Sequence, residues 1–213
     1  MDKDNIIINQ NKSYMIVKRV IDVLGSLVGM LLFPPISIII IIIIKIEDGG
    51  PIIFKQQRVG KNNKLFYIYK FRSMNIHAEK QKHQIMQQNE MDGAMFKIQY
   101  DPRVTKFGKF LRKRSLDEVP QLFNVLMGDM SLVGPRPPLV EEFKQYTDYQ
   151  KQRLLVLPGL TGLWQISGRN HLTFDEMINL DLKYIKNPSI VLDIKIMLVT
   201  IFEMINTKKN GAF

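Results

Sequence analysis

At 213 residues the chain has room for one ordinary buried core plus an attachment, and too little for two comfortable domains. Its 30 Lys and Arg outnumber 20 Asp and Glu by +10, and residues 1–45 hold five bases against Asp2, Asp4 and Asp22, so +8 falls on the remainder, a balance suited to nucleic acid, anionic headgroups or phosphorylated substrates. The absence of cysteine excludes a disulfide framework and thiolate chemistry, and agrees with a domain facing the cytosol.

Residues 1–13 form a polar, Asn-rich tail, and Lys18 and Arg19 mark the approach to an apolar segment. Val20 to Ile44 carries a single charge, Asp22, and closes on seven consecutive isoleucines, Ile38 to Ile44. That run exceeds the ~20 residues needed to cross a hydrocarbon core. Lys45, Glu47 and Asp48 follow where a cleaved signal would place small residues, so 14–46 reads as a permanent anchor. Pro34-Pro35 lies inside it, removing two backbone donors and clashing with the preceding turn, which predicts a sharp break. At ~1.5 Å per residue, Lys18 to Phe33 is ~24 Å long and Ser37 to Ile46 ~15 Å, each short of a ~30 Å core. Basic residues flank both ends, so the expectation is a re-entrant helical hairpin that enters and leaves on one side.

Residues 47–213 then form the globular domain. Ile52 to Arg58 and Leu65 to Phe71 are rich in β-branched and aromatic residues around Gly60-Lys61-Asn62-Asn63, which predicts a β-hairpin. Ile76 to Met91, Gln- and Lys-rich without Pro or Gly, reads as an exposed helix. Asp101-Pro102 opens a helix with Val104, Phe107, Phe110 and Leu111 on one face among basic groups, a mixture suited to a membrane surface. A short helix is expected from Asp117 to Met127, then a rigid turn at Gly134-Pro135-Arg136-Pro137-Pro138, and a helix through Glu141 to Leu155 ended by Pro158-Gly159. Leu163 to Ser167 reads as a short strand and Phe174 to Ile185 as a helix. The last helix, Ile190 to Ile205, carries Asp193, Lys195 and Glu203, so it belongs to an interface or to the core and not to a span. The fold class is α/β, helix-rich, with a small β-hairpin, interfacial amphipathic helices and an N-terminal re-entrant anchor.

The chemistry concentrates at Arg112 to Pro120. Proline is tolerated in a first helical turn, so Pro120 places a helix start near Asp117 and sets Asp117 and Glu118 at an end that favours ionised carboxylates and phosphate alike. Ser115 and Glu118 also fit capping-box spacing, a register that would push Pro120 past the tolerant turn. Acids at helix starts usually only cap. Three further clusters argue for more: Lys70-Phe71-Arg72-Ser73, Gly134-Pro135-Arg136-Pro137 and Ser167-Gly168-Arg169-Asn170 present cations in stiff settings, the geometry for holding a pyrophosphate. An Asp carboxylate can attack phosphorus and split one transfer into two steps. A hard cation such as Mg²⁺ would sit between Asp117, Glu118 and substrate oxygens without a dense ligand cluster. His77, His83 and His171 are scattered and read as surface residues.

Taken in order, Phe33-Pro34-Pro35, Gln57-Arg58-Val59-Gly60, Lys70-Phe71-Arg72-Ser73-Met74, Ser115 through Gln121, Gly128 through Pro137, and Pro158 through Gln165 resemble the bacterial sugar transferase family, the monotopic polyprenyl-phosphate phosphoglycosyl transferases. The resemblance runs from about Tyr14 to about Ile205. It implies that Asp117 is a covalent nucleophile on the sugar-proximal phosphate of a UDP-sugar, that UMP leaves, and that polyprenyl (undecaprenyl) phosphate attacks the intermediate. It further implies Mg²⁺ beside the pair, with Glu118 as metal contact or proton handler, and Arg112, Arg136 and Arg169 as phosphate and nucleotide contacts. Localisation on the cytoplasmic face of a bacterial inner membrane follows, as does entry into O-antigen, capsule, exopolysaccharide or glycoprotein glycan assembly. Larger relatives add transmembrane helices and a further domain, and this sequence resembles the minimal catalytic form. Val119 and Arg114 depart from the usual Leu and Thr beside the pair without touching its chemistry. Asp92 through Ile98 resembles relatives acting on UDP-glucose or UDP-galactose. The competing reading is a membrane-tethered basic module that binds anionic lipid or nucleic acid without turnover, although no recognised nucleic-acid motif is present.

Overall fold

The structure, a computed structural model, describes residues 11–81, 85, 87, 89–90, 93–95, 98, 100–168 and 171–206. It opens with a bent helix pair, α1 (Lys12–Leu32) and α2 (Pro34–Asp48). Asn11 caps α1, its side chain accepting from Ser13 N at 3.0 Å. The prolines sit at the first positions of α2, where a missing N–H leaves no orphan, so the break falls at Phe33 with a bend of 60°. Among the described residues no single helix is long and apolar enough to cross a membrane; the two together are. The helical pair extends two residues past 14–46 at each end.

β1 (Ile53–Val59) and β2 (Leu65–Phe71) form the expected hairpin, paired antiparallel from Ile53↔Phe71 to Val59↔Leu65. Within the described part of 76–91 only α3 (Ala78–Gln81) is α-helical, four residues long, and Asn89–Glu90 lie outside any helix. α4 (Lys106–Lys113) starts later than expected, because Thr105 and not Asp101 supplies the cap, accepting from Gly108 N at 2.9 Å. Asp101 instead forms a buried pair with Arg103 at 2.7 Å, and Val104 bridges Met74. Gly108 is dictated by proximity: a Cβ there would lie 2.0 Å from the carbonyl oxygen of Ser73.

The expected helix over 117–127 divides into a 3₁₀ turn at Leu116–Glu118 and α5 (Gln121–Met127), whose cap is Pro120. Both carboxylates therefore precede α5, and Ser115 makes no side-chain cap bond. The expected helix over 141–155 is likewise three pieces, α6 (Val140–Lys144), α7 (Asp148–Lys151) and a 3₁₀ turn at Gln152–Leu155. Thr147 stops it by capping α7 afresh through Gln150 N at 3.3 Å. The strand expected at Leu163–Ser167 is a helix, α8 (Leu163–Ile166). Extended backbone lies just before it: β4 (Gly159–Thr161) pairs parallel with β3 (Ser131–Val133), with no local signal in either. α9 (Phe174–Lys186) and α10 (Ile190–Ile205) stand where expected, α9 with a capping box between Thr173 and Glu176.

The largest core cluster packs α9 and α10 on β3 through Ile178, Leu182, Ile185, Ile196 and Val133, and each such aliphatic chain contributes about 1.5–3 kcal/mol of burial. A second cluster joins α2 to the hairpin and α4 through Ile40, Ile44, Phe71 and Leu111. Opposite these contacts, α1, α2 and α10 keep apolar faces exposed, including Leu24, Leu31, Ile39, Ile42, Leu198 and Phe202. The last helix thus belongs to core on one face and presents an apolar surface on the other.

Candidate functional site

Three elements bring the site together. Asn124, fully buried on α5, donates to Tyr67 O at 2.7 Å and accepts from Tyr69 N at 3.2 Å, satisfying two strand groups with one amide. That fastens α5 to β2, next to Lys70. At the other end of the 3₁₀ turn, Ser115 has φ 53°, a left-handed conformation uncommon outside glycine, and it bends the chain between α4 and the acidic pair. The third element is the proline-rich turn. Gly134 N donates to Thr161 O and Gly159 N to Pro135 O, both at 2.8 Å, while Val59 N and Arg58 Nη1 donate to Pro138 O and Pro137 O at 3.1 and 3.0 Å. With its flanks pinned to β4 and β1, the turn holds up the half-exposed side chain of Arg136.

Lys70 Nζ meets Glu118 Oε1 at 2.6 Å, and Arg136 Nη1 approaches the same oxygen at 3.8 Å. Burial by itself would raise the Glu118 carboxyl; Lys70, Arg136 and Arg58 outweigh it and bring the pKa down to about 2. Asp117 is buried, and desolvation lifts its carboxyl above the ordinary range, with Lys70 and Arg112 opposing and Glu118 assisting. Neighbours in sequence are thus held apart in basicity, Glu118 as a permanent anion and Asp117 as the stronger base.

The pair lies on the wall of a cavity of about 520 Å³, lined also by Lys70, Arg72, Arg112 and Arg136. Arg112 is fixed by donating from Nε to Ser73 Oγ at 2.9 Å, and burial lowers its pKa. Arg72 is tied to Asp48 at the end of α2, yet its buried Nη1 has no acceptor among the described residues. Arg169 lies outside the described residues, as does His83; His77 and His171 are exposed. Arg58, paired with Phe66 in the hairpin, also lines the cavity, a role that the sequence reading did not assign to it. Burial and the nearby Arg136 charge lower its pKa to about 10.

Among the described residues no group of three or more His, Cys, Asp or Glu side chains converges. The donors on offer for a metal are the two adjacent carboxylates, hard oxygens beside open space, which fits Mg²⁺ completed by phosphate oxygens and water and does not fit a closed Zn²⁺ site.

Two unlike carboxylates thus lie on a cation-lined cavity, chemistry suited to phosphate groups, in a chain whose helices keep exposed apolar faces. The comparisons make this specific. The model of the bacterial sugar transferase family matches residues 13–207, and the chain belongs to that family. It is 53% identical over 190 residues to the galactosyl transferase CpsE of Streptococcus agalactiae, covering 89% of this chain and 42% of that protein. It is 40% identical over 206 residues to the undecaprenyl-phosphate galactose phosphotransferase of Salmonella typhimurium, covering 95% and 43%. The exopolysaccharide production protein ExoY of Rhizobium meliloti is 41% identical over 188 residues, covering 86% of this chain and 83% of ExoY. The chain therefore spans less than half of the first two relatives and most of the third.

Proposed function

We propose that this chain transfers a sugar 1-phosphate from a UDP-sugar to undecaprenyl phosphate, releasing UMP, as the first membrane step of bacterial surface-glycan assembly. The observation that carries the reading is the pairing of a buried, raised Asp117 with a Glu118 held anionic by Lys70 and Arg136 on a 520 Å³ cavity. The relatives named for undecaprenyl-phosphate galactose phosphotransfer and exopolysaccharide production support it. An Asp117 oxygen attacks the sugar-proximal phosphorus, the bond to the bridging oxygen breaks, and UMP departs with that electron pair. An oxygen of undecaprenyl phosphate then attacks the same phosphorus and frees the Asp117 carboxylate. Arg112, Arg136 and Lys70 hold phosphate oxygens during both displacements. Asp117 and Glu118 would hold Mg²⁺, which when bound neutralises charge among carboxylates and phosphates. Lys70, Arg136 and Arg58 hold Glu118 in its anionic form, which supports reading it as a metal contact.

A screen of UDP-sugars with a short-chain polyprenyl phosphate tests the reading directly. One donor is expected to release UMP, with activity lost in EDTA and restored by Mg²⁺ or Mn²⁺. Binding to anionic vesicles with no UMP from any donor would favour the tethered binding module instead.

For the anchor, the reading is that α1 and α2 enter and leave the membrane on the cytoplasmic face, supported by the 60° bend and by the fact that neither helix alone is long and apolar enough to cross. Single cysteines at Ser13 and Asn62 are expected to react with an impermeant maleimide in inverted vesicles and not in intact cells. Labelling of Ser13→Cys from outside intact cells would establish a bent span.

A further inference from the structure

Asp22 is the only charge in the apolar stretch from Val20 to Ile44, and it is 2% exposed, turned into the protein and not toward lipid. Its Oδ1 accepts from Ser131 Oγ at 2.9 Å and from Leu132 N at 2.8 Å, on β3. One turn earlier on the same face, Arg19 donates to Val125 O at 2.7 Å and to Leu126 O at 2.8 Å, carbonyls in the last turn of α5, of which Val125 O also accepts from Gly128 N at 3.1 Å. The face continues through glycines. A Cβ on Gly25 would lie 2.6 Å from Leu132 Cδ1, and one on Gly29 2.7 Å from Leu122 Cδ1, so α1 is seated directly on both elements.

Those two elements carry opposite halves of the site. α5 follows Asp117 and Glu118 within three residues, and β3 runs straight into Gly134-Pro135-Arg136. We infer that Arg19 and Asp22 of the apolar helix are positioning residues, a two-armed clamp that sets the distance between Arg136 and Glu118. The short parallel β3–β4 pair, three residues on each strand, is too small to fix that register unaided. The 3.8 Å contact of Arg136 with Glu118 therefore depends on where α1 sits, and a helix displaced from the membrane would take the clamp with it. A misplacement of about 1 Å at such a contact can cost on the order of a hundredfold in rate.

The activity arm of the test rests on the transferase reading above; a second arm does not. In the full-length chain in membranes or detergent, Asp22→Leu removes both acceptor bonds while keeping an apolar helix, and Ser131→Ala removes one from the other side in case the first variant inserts poorly. The expected result is a kcat loss on the order of a hundredfold for Asp22→Leu and about tenfold for Ser131→Ala, with donor KM changed less. Asp22→Asn, which retains an acceptor oxygen, should recover most of the rate. In an Arg136→Gln background Asp22→Leu should add little further loss, because its effect passes through Arg136. Independently of turnover, the Gly134 amide, bonded to Thr161 O, should exchange hydrogen faster in Asp22→Leu than in wild type. Multiplicative losses in the double variant, or unchanged exchange at Gly134, would overturn the clamp. Wild-type protein without transfer activity but with accelerated exchange in Asp22→Leu would overturn the functional reading and leave the clamp standing.

Discussion

Two acids in this molecule face cations and are shifted in opposite directions. Asp181 on α9 has a single partner, Arg153, with side chains 1% and 2% exposed, and burial pushes its carboxyl up to about 6 in spite of that arginine. Glu118, beside a cavity, has Lys70, Arg136 and Arg58 around it and is brought down to about 2. One cation leaves the desolvation of a carboxylate this deeply buried only partly offset, as expected of a structural pair. Several cations per carboxylate exceed what the fold needs, and that excess of positive charge is what an incoming phosphate meets.

The sharpest way to separate the two regions is Asp117→Asn. The amide keeps the shape and removes the nucleophile, so transfer is expected to fall about 10⁴-fold or more while thermal unfolding stays near that of wild type. A radiolabelled sugar phosphate should attach to wild-type protein and not to the variant; near-normal transfer would end the covalent reading. Arg153→Met does the converse in the core. Leaving Asp181 buried without its partner is expected to cost about 3–5 kcal/mol, read as a lowered midpoint in urea, with kcat per folded molecule preserved. Loss of kcat without loss of stability would move that pair into the site. The smallest effect is on pH. Asp117 must be ionised to attack and its pKa is raised, first by burial, so activity should fail as pH drops at values above the usual carboxylate range. Arg112 opposes that rise, so Arg112→Gln should move the acid limb of kcat/KM further up. An unmoved limb would mean that Arg112 serves the substrate alone.

Local regularity accounts for what was readable in advance. The hairpin strands, the break at Pro34-Pro35, α9 and α10 follow from alternation, proline geometry and apolar periodicity, each acting over a few neighbouring residues. The Asp117-Glu118 pair and the stiff turn holding Arg136 were legible for the same reason. What failed was longer or less local. The helix expected over 141–155 is interrupted because Thr147 starts a new cap, and the strand expected at Leu163–Ser167 is helical because the extended backbone is spent one step earlier, in β4.

The sequence by itself determined that an apolar helical pair precedes a basic domain bearing an acidic pair and rigid arginines, since composition, spacing and proline need no partner to act. Only the tertiary structure decided that β3 and β4 would pair, because a parallel register of three residues is set by what packs around it. It also decided the charge states. Glu118 and Asp117 are adjacent in the chain, yet one is surrounded by Lys70 and Arg136 and the other withdrawn from solvent, and those surroundings come from β2, the proline turn and α4. Asp22 makes the same point from within the apolar segment: a lone charge there reads as a misfit until β3 arrives with a hydroxyl and an amide to meet it.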